Sequence, residues 1–353
     1  LLKSAEDQAM RNVTMRKTIW LAAVPVMALL ASPAVASEGG QIKREEWSFA
    51  GFKGRYDKNQ LQRGFLVYKE VCANCHGLNR IYFRNLVQPG GPEFNEEAVK
   101  ALAANWPNKI AETNDAGETA VTAKDKDGKV TGFKLVKRDA KLTDPILGPY
   151  ANEKAARAAF GGALPPDLSV MAKARNTEYH GSWIGHLPAM LEDIRTGYQE
   201  GGANYIHALL THYKDKPPAY VRDDKGKLVA GSDTDSKAEF CVSIVAGEDG
   251  QPGTCNKLAD GMNYNTVFPG NQIAMTPPLA DGVVPYAAGA DGTLAAPKTV
   301  DQYARDVAAF LSWTADPSLN SRKEIGWQVM LYLLVTTLLL YLGKKRVWSR
   351  IEH

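Results

Sequence analysis

Cys72-Ala73-Asn74-Cys75-His76 carries the sharpest chemical signal in the chain. Two thiols three positions apart on a helical turn can each add to one vinyl group of a haem, and the histidine directly after the second thiol is placed to bind iron axially. This is the C-x-x-C-H pattern of c-type haem attachment. A thioredoxin-like pair would want a βαβ setting, whereas the run 61–70 ahead of Cys72 has helical apolar spacing. A zinc knuckle would want a second pair at metal-ligand spacing, and Cys241 and Cys255 lie fourteen apart without a histidine nearby. The pattern occurs once, so one covalently bound haem c is expected.

Iron held by one histidine leaves a sixth position to explain. An open position implies ligand binding or catalysis, and a filled one implies electron transfer. The candidates are Met171, Met190, Met262 and Met275, with His180, His186, His207 and His212. Met171 and Met190 occupy apolar positions in helix-like stretches and read as core. The histidines cluster in 180–212 without a rigid frame. Met275 lies in Pro269-Gly270-Asn271-Gln272-Ile273-Ala274-Met275-Thr276-Pro277-Pro278-Leu279, where fixed proline dihedrals leave a thioether little entropy to lose. Met275 leads, and the others stay in play. So do a five-coordinate sensor or peroxidase and, among electron carriers, a tethered haem c shuttle or an oxidase haem c subunit.

Two apolar runs frame these residues. Within 15–36 a basic start, an apolar centre and the closing Ser32-Pro33-Ala34-Val35-Ala36 have the form of a secretory signal peptide, with 1–14 as an upstream segment of uncertain status. The run 325–342 holds 18 residues without a charge, just long enough to cross a hydrocarbon core of about 30 Å. Lys344, Lys345, Arg346 and Arg350 follow, and Trp327, Tyr341 and Trp348 are spaced like interfacial anchors. The positive-inside rule then puts 343–353 in the cytoplasm and the body, 37–321, on the other side of the membrane. With 42 Lys+Arg against 39 Asp+Glu the chain is not a basic nucleic-acid binder. The formal charge of +3 belongs to the two ends, and without them the body is mildly acidic. In an oxidising compartment Cys241 and Cys255 are expected to pair.

Apolar spacing predicts helices over 58–85, 96–104, 152–159, 166–175 and 205–212, and most clearly over 300–315 after Thr299. Strand signals are weak and local, at 132–136 and 228–229. The body is therefore mainly α, with long Gly/Pro-rich loops.

Several stretches together resemble the cytochrome c1 family, the haem c subunit of the cytochrome bc1 complex, in its bacterial form. They are Trp47-Ser48-Phe49, Leu61-Gln62-Arg63-Gly64, Val67-Tyr68-Lys69-Glu70-Val71 with the haem motif, Tyr82-Phe83-Arg84-Asn85-Leu86, Asn152-Glu153-Lys154-Ala155-Ala156-Arg157, Gly162-Ala163-Leu164-Pro165-Pro166-Asp167-Leu168-Ser169, the Met275 loop and the terminal anchor. The resemblance implies a class I c-type cytochrome-like haem domain with loop insertions and one C-terminal transmembrane helix. It implies Cys72 and Cys75 as thioether positions, His76 as proximal ligand, Met275 as distal ligand, Arg175 beside a haem propionate, and Pro165 and Pro166 along the haem edge. The insertions fall at about 111–141, 176–201 and 214–260. It names cytochrome b and the Rieske iron-sulfur protein as partners in a dimeric complex, with a soluble cytochrome c as acceptor. The chain would serve quinol:cytochrome c oxidoreductase as its electron-transfer subunit, with no acid/base chemistry of its own.

Overall fold

Asp57 accepts a hydrogen bond from the Gln60 backbone N–H at 2.7 Å and so caps the first helix, α1, Lys58–Glu70. The computed structural model describes residues 42–113, 120–124, 126–127, 129–175, 191, 201–224, 226–245, 253–286 and 296–349. The later helices are α2 Glu96–Ala104, α3 Glu153–Ala159, α4 Met171–Ala174, α5 Gly202–Thr211, α6 Val300–Ala315 and α7 Leu319–Trp348. The strands are short: β1 Leu78–Tyr82, β2 Ile110–Ala111, β3 Ala120–Lys124, β4 Val130–Leu135, β5 Lys137–Arg138, β6 Pro145–Ile146, β7 Ala219–Arg222, β8 Leu228–Ala230, β9 Glu239–Phe240, β10 Ser243–Val245, β11 Thr254–Asn256, β12 Asn263–Tyr264 and β13 Gln272–Ile273. They form antiparallel pairs and one three-stranded sheet in the order β8-β7-β9. Mostly helical architecture with small hairpins is what the apolar periodicity predicts.

The core forms where α1 crosses α6. Leu61, Phe65, Val67 and Tyr68 are buried from one helix, and Tyr303, Ala304, Val307, Phe310 and Leu311 from the other. Gly64 lets the helices meet, because a Cβ there would fall 2.1 Å from the Asp306 carbonyl oxygen and 2.6 Å from Phe310 Cβ. Phe310 lies 5.7 Å from Phe65 in an edge-to-face pair and 6.0 Å from Tyr68. Beside the crossing, Asp306 is fully buried and held by both prongs of Arg63, at 2.8 and 3.1 Å. α5 joins through Gly202, where a Cβ would lie 1.6 Å from the Ala172 carbonyl oxygen on α4.

Two helices are shorter than apolar spacing suggests. The helix over 58–85 stops at Glu70, gives a 3-10 turn Cys72–Asn74 and continues as β1. The Asn74 side-chain amide donates to the carbonyls of Glu70 and Val71 at 3.1 and 3.2 Å, ending the helical ladder, and β1 then pairs with β6. The helix over 166–175 starts late, as α4, because Asp167 and Ser169 are held by the Asn79 and Arg80 N–H groups and Leu168 N–H donates to Gly77 O at 3.0 Å. The remaining four begin or end within a few residues of expectation, and 300–315 matches α6.

The three-stranded sheet and the β10–β11 hairpin lie within 214–260, and a disulfide joins Cys241 to Cys255 with Cα atoms 5.2 Å apart. α7 is 30 residues long, about 45 Å, and its apolar side chains from Ile325 to Leu342 are largely exposed. Residues 1–14, the expected signal peptide 15–36, and His180, His186 and Met190 lie outside the described residues.

Candidate haem site

The turn that ends α1 arranges the chemistry. Backbone N–H groups of Cys75 and His76 both donate to Cys72 O, at 3.0 and 2.8 Å, closing the turn on the two sulfurs. Both thiols are free and half-buried. Burial, with the nearby Cys75, pushes the Cys72 thiol up to about 12, so it stays protonated in the bare polypeptide. The Tyr68 hydroxyl donates to His76 O at 3.1 Å and fixes the end of the turn to the α1 core.

His76 Nδ1 lies 2.8 Å from Pro166 O. A carbonyl oxygen only accepts, so Nδ1 carries the proton and Nε2 keeps its lone pair. Burial lowers the imidazole pKa, outweighing the Pro166 hydrogen bond and the Asp167 charge that act the other way. The ring is therefore neutral, as a metal ligand must be. Pro166 is held in turn by its neighbours: the Asp167 carboxylate accepts from Asn79 N–H at 2.7 Å and Ser169 N–H at 2.9 Å, and Ser169 Oγ accepts from Arg80 N–H at 3.1 Å. Gly77 packs on Gly148 so closely that a Cβ on either would come within 2.9 Å of the other's backbone nitrogen.

Met275 is half-buried just past β13. Its carbonyl accepts from the Tyr213 hydroxyl at 3.2 Å. The approach to it is built from the β12–β13 pair, with Gly270 and Asn271 at φ 75° and 56° in the turn between. Fully buried Asn265 donates to Leu209 O at 2.8 Å and accepts from the N–H groups of Val267 and Phe268, tying the loop to α5. Asn271 donates to Val242 O at 2.8 Å, so the segment beside Cys241 braces the same turn. Arg175 is exposed at the end of α4, and its charge partly offsets the burial that raises the Tyr205 hydroxyl pKa.

The structure joins Cys72, Cys75, His76 and Pro166 directly, and links Met275 to α5 through Tyr213 and Asn265. The Pro166 segment leads into α4, which meets α5 at Gly202. Of the other candidate ligands, His207 has Nε2 taken by Asp301 at 2.9 Å, whereas His212 bonds Ala208 O through Nδ1 at 2.9 Å, the same arrangement as at His76. Met171 and Met262 are half-buried on α4 and ahead of β12. Tyr68, Asp167, Ser169, Tyr213 and Asn265 escape sequence reasoning, because hydrogen bonds to backbone atoms leave no spacing pattern.

The residues fit a haem by the chemistry of their donors: two reduced thiols on one turn, and a neutral imidazole with its second nitrogen free. Zinc does not suit the set, since Cys241 and Cys255 are consumed in a disulfide. A helical body that offers two free thiols and a neutral imidazole on one turn in this way fits a c-type cytochrome.

The model of the Cytochrome C1 family matches residues 47–351, and the chain belongs to that family. It is 38% identical to cytochrome c1 of Blastochloris viridis over 97% of this chain and 98% of that protein. Identity is 34% to cytochrome c1 of Cereibacter sphaeroides, over 96% of this chain and 98% of that protein. It is also 34% to mitochondrial cytochrome c1, heme protein, of Saccharomyces cerevisiae, over 92% and 78%. The family is the haem c subunit of the bc1 complex, with one covalently bound haem c, and its redox role belongs to the catalysis of that complex.

Proposed function

We propose that this chain is the membrane-anchored electron outlet of a quinol-oxidising bc1 complex, taking one electron from the Rieske iron-sulfur protein and passing it to a soluble cytochrome c. The observation that carries the reading is the His76–Pro166 hydrogen bond beside two free thiols. When bound, the haem supplies an iron that alternates between ferric and ferrous. Cys72 and Cys75 would hold the haem through thioethers, each made by adding S–H across one vinyl group, sulfur to one carbon and hydrogen to the other. His76 Nε2 and the Met275 thioether would hold the iron, and with both in place oxygen and other ligands would be excluded. A soft thioether favours the ferrous state and raises the potential. Arg175 would pair with a propionate through its guanidinium fork, and Pro165 and Pro166 would line the haem edge.

The body 37–321 stands in the periplasm of a bacterial inner membrane after loss of the signal 15–36, with insertions at about 111–141, 176–201 and 214–260. Residues 325–342 cross the bilayer, and 343–353 stay in the cytoplasm. The body has the class I c-type fold, with α1 and α6 as its crossing helices. Cytochrome b and the Rieske protein share a dimeric complex with it. A mildly acidic body suits a basic cytochrome c by charge complementarity. Purification in mild detergent tests the reading. Cytochrome b and a Rieske protein should accompany the chain, and added quinol should reduce its haem only while the Rieske protein is present. An intact, haem-loaded chain without either partner would contradict it and identify a tethered carrier or an oxidase subunit instead.

A further inference from the structure

Phe52 is 80% exposed, more than any other large apolar side chain among the described residues. Its sequence neighbours are the reverse. Trp47, Phe49 and Tyr56 are buried, with ring centroids 5.4 and 4.9 Å apart in series. Between them the loop is closed by Ala50 N–H donating to Trp47 O at 3.1 Å and Arg55 N–H donating to Ser48 O at 3.0 Å. Gly51 turns it at φ 69°, and a Cβ on Gly54 would fall 1.9 Å from the Ala50 carbonyl oxygen. Burying the tip of so constrained a loop costs little further ordering.

The same loop is fastened to the first turns of α7. Lys323 Nζ donates to the carbonyls of Phe49 and Gly54, at 2.6 and 3.2 Å. Asn320 Oδ1 accepts from Tyr56 N–H at 3.1 Å, and Arg55 pairs with Glu324 at 3.2 Å. The apolar run of α7 opens at Ile325, about 3 Å of helix rise beyond Lys323. Trp327, 74% exposed, follows about 3 Å further on. A single exposed aromatic on a protein surface needs no explanation in water. One fastened at the level where a membrane span begins has a specific neighbour, because an exposed apolar ring such as phenylalanine buries itself at the boundary of headgroups and acyl chains.

We propose that the 48–55 loop is a second membrane contact: Phe52 enters the interfacial layer of the phospholipid bilayer beside the start of α7, and exposed Lys53 reaches lipid phosphates. The inference rests on the reading of α7 as a membrane span. It makes the body sit on the bilayer at two points, the helix and the loop, which limits its tilt.

The test uses the full chain in its native membrane, with Phe52→p-benzoylphenylalanine, irradiation and mass analysis of the peptides. The same group is placed at Val335, in the middle of the apolar run, and at Asp233, exposed in the 214–260 insertion. The expected result is phospholipid adducts at positions 52 and 335 and none at 233. Adducts at 52 to another protein alone, no adduct at 52, or equal lipid labelling at 52 and 233 would overturn the loop contact while leaving the span intact. Absence of lipid adducts at 335 would remove the span reading itself, and the loop contact with it.

Discussion

Replacing Arg63 with methionine tests what holds the two crossing helices, and with them the turn that carries Cys72. Asp306 is fully buried, and its carboxylate accepts from Arg63 at 2.8 and 3.1 Å, from the Tyr286 hydroxyl at 2.8 Å and from the Gln302 amide at 2.9 Å. Arg63→Met keeps much of the apolar stem and removes the cation. Stranding a buried charge costs about 3–5 kcal/mol, and two surviving neutral donors place this case near the lower half, about 3–4 kcal/mol. For a body of this size that is a fall in Tm of roughly 6–16 °C. Asp306→Asn should be milder, about 2 kcal/mol, because the amide oxygen still accepts. Arg63, with its side chain 21% exposed, can also turn to water. The double variant should cost less than the sum of the two by about 1 kcal/mol or more, since contacting charges couple. Thermal unfolding of the detergent-solubilised chain, followed by near-UV circular dichroism, measures all three. A fall below about 2 °C for Arg63→Met, or strict additivity in the double variant, would refute the buried-pair account.

Other perturbations probe separate links. Tyr213→Phe removes the hydroxyl that donates to Met275 O, a bond of about 0.5–1.5 kcal/mol net, and should quicken carbon monoxide binding to the reduced protein; an unchanged rate would show that the loop does not depend on it. Replacing Cys241 and Cys255 together with serine should cost about 3 kcal/mol by chain entropy, read as a lower Tm, with Asn271 and the Met275 loop loosened by hydrogen exchange. Asp316 is buried, which alone would raise its pKa, but the Arg322 and Lys173 hydrogen bonds hold it below the usual carboxylate value. Its stabilisation is therefore complete above the unfolded pKa of about 3.9 and lost as pH falls through the lower folded value. The Tm difference between wild type and Asp316→Asn should shrink below about pH 4, and a difference constant with pH would exclude an electrostatic origin.

Local signals carried much of the fold. Thr299 accepts from Gln302 N–H and starts α6 where the apolar spacing begins, and Asn95 does the same for α2. The thiol pair and His76 are adjacent in sequence, so their chemistry is legible as a string. What stayed hidden is long-range or made by the backbone. Asn74 ends a helix through two carbonyls, and Pro166 meets His76 through its own carbonyl from 90 residues away. Arg63 finds Asp306 at a separation of 243, a pairing that charge patterns along one helix cannot reveal. Met275 stood out by its prolines, yet the Asn265 and Tyr213 bonds that tether it leave no local trace.

Replacing Met275 with leucine and recording the spectrum, potential and carbon monoxide binding of the purified, haem-loaded chain tests the central claim most directly. The account predicts loss of the thioether-to-iron band, a lower potential and rapid carbon monoxide binding, with haem still covalently attached through Cys72 and Cys75. An unchanged spectrum and potential, with carbon monoxide still excluded, would contradict it.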